Sequence, residues 1–404
     1  MTQAELNIGT IGHVDHGKST LVQALTGKFP DTHSEELKRG ITIKLGYSQA
    51  TFYKCPKCPE PQCYSTQPKC PNCGSEGTEL RKVSFLDSPG HETLMATVIA
   101  ASSIMDGALF VIAANEECPQ PQTVEHLMIL EAAGIKNVIV VQNKVDLVAE
   151  EKAKTHYKQI KEFLKGSLLE NAPVIPVVAN VGGNLDALIQ AIQETIPLPT
   201  RPEGQIPRML VARSFDVNKP GTDIPKLSGG VLGGSIVQGE FKIGQEIMIL
   251  PGSLRIKKNK EHYEPLTTKI AALFAEKEKL TEAKPGGLVA VGTQLDPALT
   301  HSDSLVGNVI GLKDSMPPVY SEITVEIKQM PRLLQNFPAA FKPNEPLVLG
   351  AGTATTVGFV IEQKKKGVKI VLKKPICLDR EGKLAVLRRA ENRWRLYGTA
   401  KIVQ

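Results

Sequence analysis

Gly12-His13-Val14-Asp15-His16-Gly17-Lys18-Ser19 reads G-x-x-x-x-G-K-[ST], and this octapeptide decides the architecture of the first half of the chain. Before it, Leu6-Asn7-Ile8-Gly9-Thr10-Ile11 has strand character; after it, Ser19 to Leu25 predicts the opening turns of a helix. Strand, loop and helix in that order are the context the pattern requires. Successive backbone N–H groups ahead of a helix N-terminus make an anion cradle. Gly12 and Gly17 are expected to let the backbone curl close to phosphate oxygens. Asp15, His16, Gly17, Lys18, Ser19 and Thr20 are therefore the expected phosphate-binding residues, with Lys18 on the β- and γ-phosphates and the Ser19 hydroxyl on Mg²⁺.

Reading onward, residues 28–50 are polar and weakly periodic and predict a loop, in which Thr42 is placed to offer a hydroxyl to the same Mg²⁺. Val83 to Leu86 reads as a strand ending in Asp87-Ser88-Pro89-Gly90-His91-Glu92. A carboxylate at such a strand end puts Asp87 near the metal. The bare Gly90 amide can approach a γ-phosphate, and His91 then falls near the attacking water. Residues 93–103 predict a helix, Gly107 to Ala113 a strand, and Pro119 to Ala133 a helix capped by Gly134. The strand Asn137 to Gln142 feeds Asn143-Lys144-Val145-Asp146. Asn143 can brace the phosphate loop and touch the base, Lys144 can lay its aliphatic stem along the base plane, and Asp146 can accept the two N–H groups of guanine that adenine lacks. A helix over 149–170, a strand from Pro173 to Val178, Ala179-Asn180 and a helix over 184–195 complete the alternation. Apolar strands alternating with helices predict a mostly parallel sheet covered on both faces, with ligand loops at the strand carboxyl ends.

An insertion at 53–82 interrupts this pattern. Cys55-Pro56-Lys57-Cys58 and Cys70-Pro71-Asn72-Cys73 are two C-x₂-C turns, and five of the seven cysteines lie in this segment. Two thiolates three residues apart converge on one ion, and two such turns complete a tetrahedral S₄ zinc site of structural type. Cys63, between the turns, is the odd one out by spacing. Disulfides are disfavoured because no basic flank and apolar run at the N-terminus points to a signal peptide. No stretch of about 18 apolar residues is present either, so no membrane span is expected.

Ile196-Pro197-Leu198-Pro199-Thr200-Arg201-Pro202-Glu203-Gly204 reads as a domain boundary. Beyond it, short alternating segments punctuated by glycine predict a small antiparallel β-barrel, and Met316-Pro317-Pro318 a second boundary before another. The expected fold is thus an α/β phosphate-loop domain over 1–200, a first barrel over 201–316 and a second over 317–404. Glu362 to Gln404 carries 13 Lys/Arg against 4 Asp/Glu, a balance of +9 in a chain of net +6. A concentrated basic end suits a polyanionic partner, though a solvated barrel surface would look the same.

Taken together, Gly12–Ser19, Arg39-Gly40-Ile41-Thr42, Asp87–His91 and Asn143–Asp146, followed by two barrels, resemble the translational GTPases. The zinc knuckles, with His33 to Gly40 and Lys44-Leu45-Gly46-Tyr47, are similar to the gamma subunits of archaeal and eukaryotic initiation factor 2, and the compact N-terminus to the archaeal form. The resemblance implies a cytoplasmic, GTP-hydrolysing carrier of methionylated initiator tRNA to the small ribosomal subunit. It implies an alpha subunit on the first barrel, a beta subunit on the GTPase domain and the aminoacylated tRNA end between that domain and the first barrel. It places His91 as the water-orienting histidine, Val14 and Ile41 as an apolar gate beside it, Asp15 near a second Mg²⁺, and Tyr47 at the aminoacyl end. Where the family usually has Ser-Ala, this chain has Val178-Ala179; the Ala179 amide would still read guanine O6. Competing readings are an elongation-type or selenocysteine-specific tRNA carrier, the GTPase subunit of a sulfate-activating enzyme, and a zinc-ribbon nucleic-acid module with a vestigial GTP site.

Overall fold

The computed structural model describes residues 3–30, 45–91, 94–202, 204–258, 260–276, 278–364, 367–391 and 393–403. The chain falls into two compact units, Gln3–Pro199 with Pro331–Gln335, and Thr200–Met330 with Asn336–Gln404.

The first unit runs β1 (Leu6–Ile11), α1 (Lys18–Thr26), β2 (Gly46–Lys54), β3 (Tyr64–Ser65), β4 (Thr78–Asp87), α2 (Met95–Ser102), β5 (Gly107–Ala113), α3 (Pro121–Ala133), β6 (Val138–Asn143), α4 (Glu150–Leu164), β7 (Val174–Pro176) and α5 (Leu185–Thr195). Its sheet has the order β3-β2-β4-β1-β5-β6-β7. β4, β1, β5, β6 and β7 are parallel neighbours, while β2 and β3 add antiparallel at one edge. Every residue of β1, β5 and β6 is buried, which is why these strands read as apolar runs rather than alternating ones. Leu21, Val22 and Leu25 of α1 and Leu188, Ile189 and Ile192 of α5 share one core cluster with Phe52, Phe85, Leu109 and Val111 of the sheet.

Register decides the site. Thr10 pairs with Asp87, Ile11 with Phe110, and Ala113 with Asn143. β1 and β4 therefore end within a residue of each other, β5 and β6 end together three residues further on, and the loops that follow β1, β4 and β6 emerge at the same carboxyl edge.

Several boundaries differ from expectation. Residues 46–50, read as loop, open β2, because they pair with Ala50↔Val83 through Gly46↔Asp87 on β4. The flanks of the insertion are the outer halves of β2 and β4, so the knuckle proper is the tip of a long antiparallel hairpin. The helix expected over 149–170 stops at Leu164, just before Gly166 at a left-handed φ of 68°. The strand expected from Pro173 to Val178 shortens to Val174–Pro176.

In the second unit, β8 (Arg208–Phe215), β9 (Val231–Gln238), β11 (Glu246–Lys257), β12 (Lys260–Ala275), β13 (Glu278–Leu280), β15 (Val289–Thr293) and β16 (Val309–Gly311) build the first barrel, and β10 (Phe241–Lys242) and β14 (Glu282–Ala283) pair in a two-stranded sheet of their own. The order β11-β16-β8-β9-β15-β12 closes through β11–β12 pairing, with β13 attached to β12. β17 (Val319–Gln329), β18 (Pro346–Ala351), β19 (Ala354–Lys364), β20 (Gly367–Cys377), β21 (Lys383–Ala390) and β22 (Arg393–Ile402) close a second six-stranded antiparallel barrel. Leu250 and Val309 of the first barrel cluster with Cys377 of the second, and the Lys374 ammonium donates to the Val306 carbonyl at 2.8 Å.

Candidate nucleotide site and cysteine centre

α1 begins at Lys18 because Gly17 turns the chain with φ 89°. A Cβ on Gly17 would lie 2.3 Å from Asn143 Nδ2, and one on Gly12 (φ 153°) would lie 2.3 Å from the Val111 carbonyl. Both glycines also admit the protein itself at close quarters, the β5 backbone at Gly12 and the Asn143 side chain at Gly17. Asn143, buried at the end of β6, donates to the His16 carbonyl at 2.9 Å and accepts the Ala179 amide at 3.1 Å. The expected brace is thus observed, and it spans two loops. The Ala179 amide, expected to meet guanine O6, is engaged with Asn143.

Asp87 closes β4 with no exposure. Its Oδ1 accepts the Thr10 hydroxyl at 2.6 Å, and its Oδ2 accepts the Ser19 hydroxyl at 2.5 Å. Thr10 thus orients the carboxylate on which Ser19 converges. An all-oxygen pair of hydroxyl and carboxylate suits a hard cation such as Mg²⁺. Sequence reading passed over Thr10, although a hydroxyl one residue from the end of an apolar strand was the available signal. Lys18 is buried and donates to the His13 carbonyl at 2.7 Å, within its own loop. Gly90 lies hard against that loop: a Cβ there would fall 2.5 Å from Lys18 Nζ, 2.8 Å from the Val14 nitrogen and 2.9 Å from the Gly12 carbonyl oxygen.

The structure therefore brings Val14, Lys18 and Gly90 together, with half-buried His91 next in the chain. Asp15 is exposed at φ 60°. Thr20 sits in the first turn of α1. Lys144, at φ 60°, leads into the turn Val145–Leu147, from which Asp146 projects into solvent. Tyr47 lies on β2, where its hydroxyl accepts from Gln49. Thr42 and Ile41 lie outside the described residues.

At the hairpin tip, the sulfurs of Cys55, Cys58, Cys70 and Cys73 all lie within 4.8 Å of one another. Cys55 and Cys73 are 3.4 Å apart and Cys58 and Cys70 3.6 Å. Those separations are far too long for a disulfide. They match the roughly 3.8 Å between corners of a tetrahedron with about 2.3 Å zinc–sulfur bonds. The Ser75 hydroxyl and amide draw the Cys73 thiol down to about 6, while hydrogen bonds with Cys73 and Cys70 hold the Cys58 thiol up at about 12, so the four sulfurs share their protons unevenly. Cys63 is outside the quartet; it is buried in the core cluster with Cys55, Cys70 and Tyr64. On β4, buried Arg81 donates to the Ile192 and Ile196 carbonyls at 2.6 and 2.7 Å, which ties the hairpin to the C-terminus of α5.

Comparison with known proteins places this geometry. The Elongation factor Tu GTP binding domain profile matches residues 3–198, and that of Initiation factor eIF2 gamma, C terminal, matches residues 321–402. Translation initiation factor 2 subunit gamma of Methanococcus vannielii is 52% identical over 400 residues, covering 98% of this chain and 98% of its own. That of Methanocaldococcus jannaschii is 52% identical over 404 residues, covering 99% and 98%.

The chain belongs to the translation initiation factor 2 gamma-subunit family.

It is accordingly a translational GTPase, and the family's GTPase domain implies GTP and GDP and typically Mg²⁺. Two solved structures share the fold. A bacterial selenocysteine-specific elongation factor aligns at TM-score 0.75 and 24% identity, covering all of this chain and 58% of that one. The elongation factor SelB of Methanococcus maripaludis, in complex with a GTP analogue, aligns at 0.73 and 23%, covering 100% and 80%. The gamma-subunit relatives, about twice as similar in sequence, decide between the initiation and selenocysteine readings.

Proposed function

We propose that this chain is the GTP-switched carrier of methionylated initiator tRNA to the small ribosomal subunit, working in the cytoplasm with alpha and beta subunits. The observation that carries the reading is the convergence at one sheet edge of the phosphate loop, Asp87 with Gly90, and Asn143 to Asp146, in a chain of this family. Ser19 and Asp87, with Thr42 and Asp15, hold Mg²⁺, which neutralises phosphate charge. His16, Gly17, Lys18 and Thr20 take the phosphates. Asn143, Lys144, Asp146 and Ala179 form the base end. His91 orients the attacking water, gated by Val14 and Ile41. Cys55, Cys58, Cys70 and Cys73 hold a structural zinc. The domains are 1–200, 201–316 and 317–404.

Supporting the tRNA reading, the first barrel carries an open groove of about 980 Å³ walled by Phe215, Val217, Ala272, Phe274 and Leu295. Aromatic and aliphatic walls of this kind suit a nucleobase and a methionyl side chain. Tyr47 remains the residue proposed on the GTPase side. The basic C-terminal barrel adds phosphate attraction that falls steeply with salt.

Nucleotide and tRNA are coupled reciprocally, so GTP raises tRNA affinity over GDP and bound tRNA raises GTP affinity by the same factor, typically about 5- to 150-fold. Titration of labelled methionyl initiator tRNA with GDP and with a non-hydrolysable GTP analogue, alpha subunit present, tests this. Identical curves, or equal binding of uncharged tRNA, overturn it.

A further inference from the structure

Two buried polar side chains, Gln142 of β6 and His156 of α4, stand behind the base end of the site. Successive side chains of a strand point to opposite faces, so Asn143 reaches the phosphate loop while Gln142 reaches the helix. The Gln142 Nε2 lies 2.9 Å from the Ala153 carbonyl and 3.0 Å from His156 Nδ1, both on α4. Ala153 is also where the first turn of α4 closes, its amide donating to the Ala149 carbonyl at 3.0 Å. On the other side, the Gln142 carbonyl accepts the Val177 amide at 2.9 Å, two residues before Ala179. Residue 142 therefore holds the end of β6 both to α4 and to the Ala179 loop, and residues 143–149 span the stretch between its own position and the helix it grips.

The chemistry of these contacts fixes the protons. The Ala153 carbonyl can only accept, so the atom facing it is the amide nitrogen, whose second hydrogen points to His156. Nδ1 is then the bare nitrogen, and Nε2 carries the ring proton. Nε2 closes no hydrogen bond among the described residues. Burial and then the Lys152 charge hold the ring's pKa below its ordinary value, in keeping with a neutral acceptor. Stability alone does not call for this ring. A buried donor left without a partner costs more than the single bond at Nδ1 returns, and an apolar side chain would pack there without that cost.

We propose that His156 and Gln142 are positioning residues for guanine recognition: the ring orients the Gln142 carboxamide, the carboxamide clamps the first turn of α4 to the end of β6, and the loop between them presents Asp146 to the base. This rests on the reading of Asn143, Lys144, Asp146 and Ala179 as the base end. Without the ring acceptor the carboxamide is free to turn from Ala153, the two ends of the loop part, and the contact that suffers most is the one Asp146 makes with the 2-amino group.

The test measures GDP and inosine diphosphate, which lacks the 2-amino group, on the whole chain in wild type and in variants of His156, Gln142 and Asp146. His156→Leu should weaken GDP about tenfold and inosine diphosphate no more than about threefold, so the preference for guanine narrows. Gln142→Leu, which removes the clamp itself, should narrow it as far. His156→Asn places a carbonyl oxygen where Nδ1 stood and should recover most of the preference. His156→Gln carries its oxygen one bond further, at the Nε2 position, and should not. Nitrogen NMR of the wild type should find the ring as the Nε2–H tautomer. An equal loss for both nucleotides, or none, in His156→Leu overturns the proposal, as does an Nδ1–H ring. Should His156→Leu not fold, equal guanine preference in His156→Asn and His156→Gln overturns it instead. Asp146→Asn keeps the two readings apart. If it leaves the guanine preference intact, the base-end reading itself fails. If it abolishes the preference and the His156 variants do not narrow it, only the clamp falls.

Discussion

Asn143 Nδ2 donates to the His16 carbonyl at 2.9 Å. The same carboxamide accepts the Ala179 amide at 3.1 Å, so one side chain from β6 sets the spacing between the phosphate end and the base end of the site. Asn143→Ala removes both bonds and strands a buried carbonyl and a buried amide. Two such bonds amount to about 2 kcal/mol, so GDP affinity should fall roughly thirtyfold. Titration with fluorescent GDP checks this, and an unchanged affinity would show that the loops hold their spacing without the brace.

Asp146 should set base identity. Asp146→Asn exchanges an acceptor for a donor, so guanine binding should weaken by about tenfold or more while xanthosine nucleotides, with a 2-oxo group, should gain. Competition between GDP and xanthosine diphosphate reads the exchange directly. Equal losses for both bases would remove Asp146 from the base contact.

The cysteine quartet should hold one zinc per chain. Elemental analysis after dialysis should give a ratio near one, retained in Cys63→Ser and lost in Cys58→Ser. Because Cys55 and Cys70 belong to the core cluster that includes α1 and α5, chelation should also lower the melting temperature of the whole first unit rather than release the hairpin alone. Metal content near zero in a folded, active sample would refute the site.

His91→Ala should slow single-turnover GTP hydrolysis on the ribosome by on the order of a hundredfold while leaving GTP affinity nearly intact, the pattern of a group that acts on the attacking water. A drop in affinity without a drop in the hydrolysis step would make His91 a binding residue.

Stability should fall on acidification through the buried histidine. His126 is held at about 3, against an ordinary 6.5, by burial first and Lys18 second. The folded value is the depressed one, so the unfolded chain binds this proton first, and stability is lost as pH falls from about 6.5 toward 3. The melting temperature of wild type should fall across that window more steeply than that of His126→Phe, which lacks the titrating group. Parallel curves would mean the group is not buried neutral.

Much of the site was legible in the chain because its chemistry is local. A phosphate loop is made by eight consecutive residues, a zinc turn by four, and a base-reading loop by four, so type and spacing suffice to propose Lys18, Ser19, Asp87, Asp146 and the quartet, of which the fold brings Ser19 onto Asp87 and the four sulfurs together. Thr10 and Arg81 were not legible. Each acts across a long sequence separation, on Asp87 and on the end of α5, and a lone threonine or arginine carries no periodic signal of such a contact.

Sequence alone thus determined the kinds of elements, their order and the ligand chemistry, since propensity, apolar patterning and side-chain functionality are properties of short stretches. Tertiary structure decided the rest. Parallel register brought Thr10 level with Asp87 and Ala113 level with Asn143. Close packing set which atoms stand where a Cβ on Gly12 and Gly17 would be, the Val111 carbonyl and the Asn143 carboxamide. Residues 46–50 became strand because they pair with the buried half of β4: buried backbone groups must find partners, and only the folded chain shows which segment supplies them.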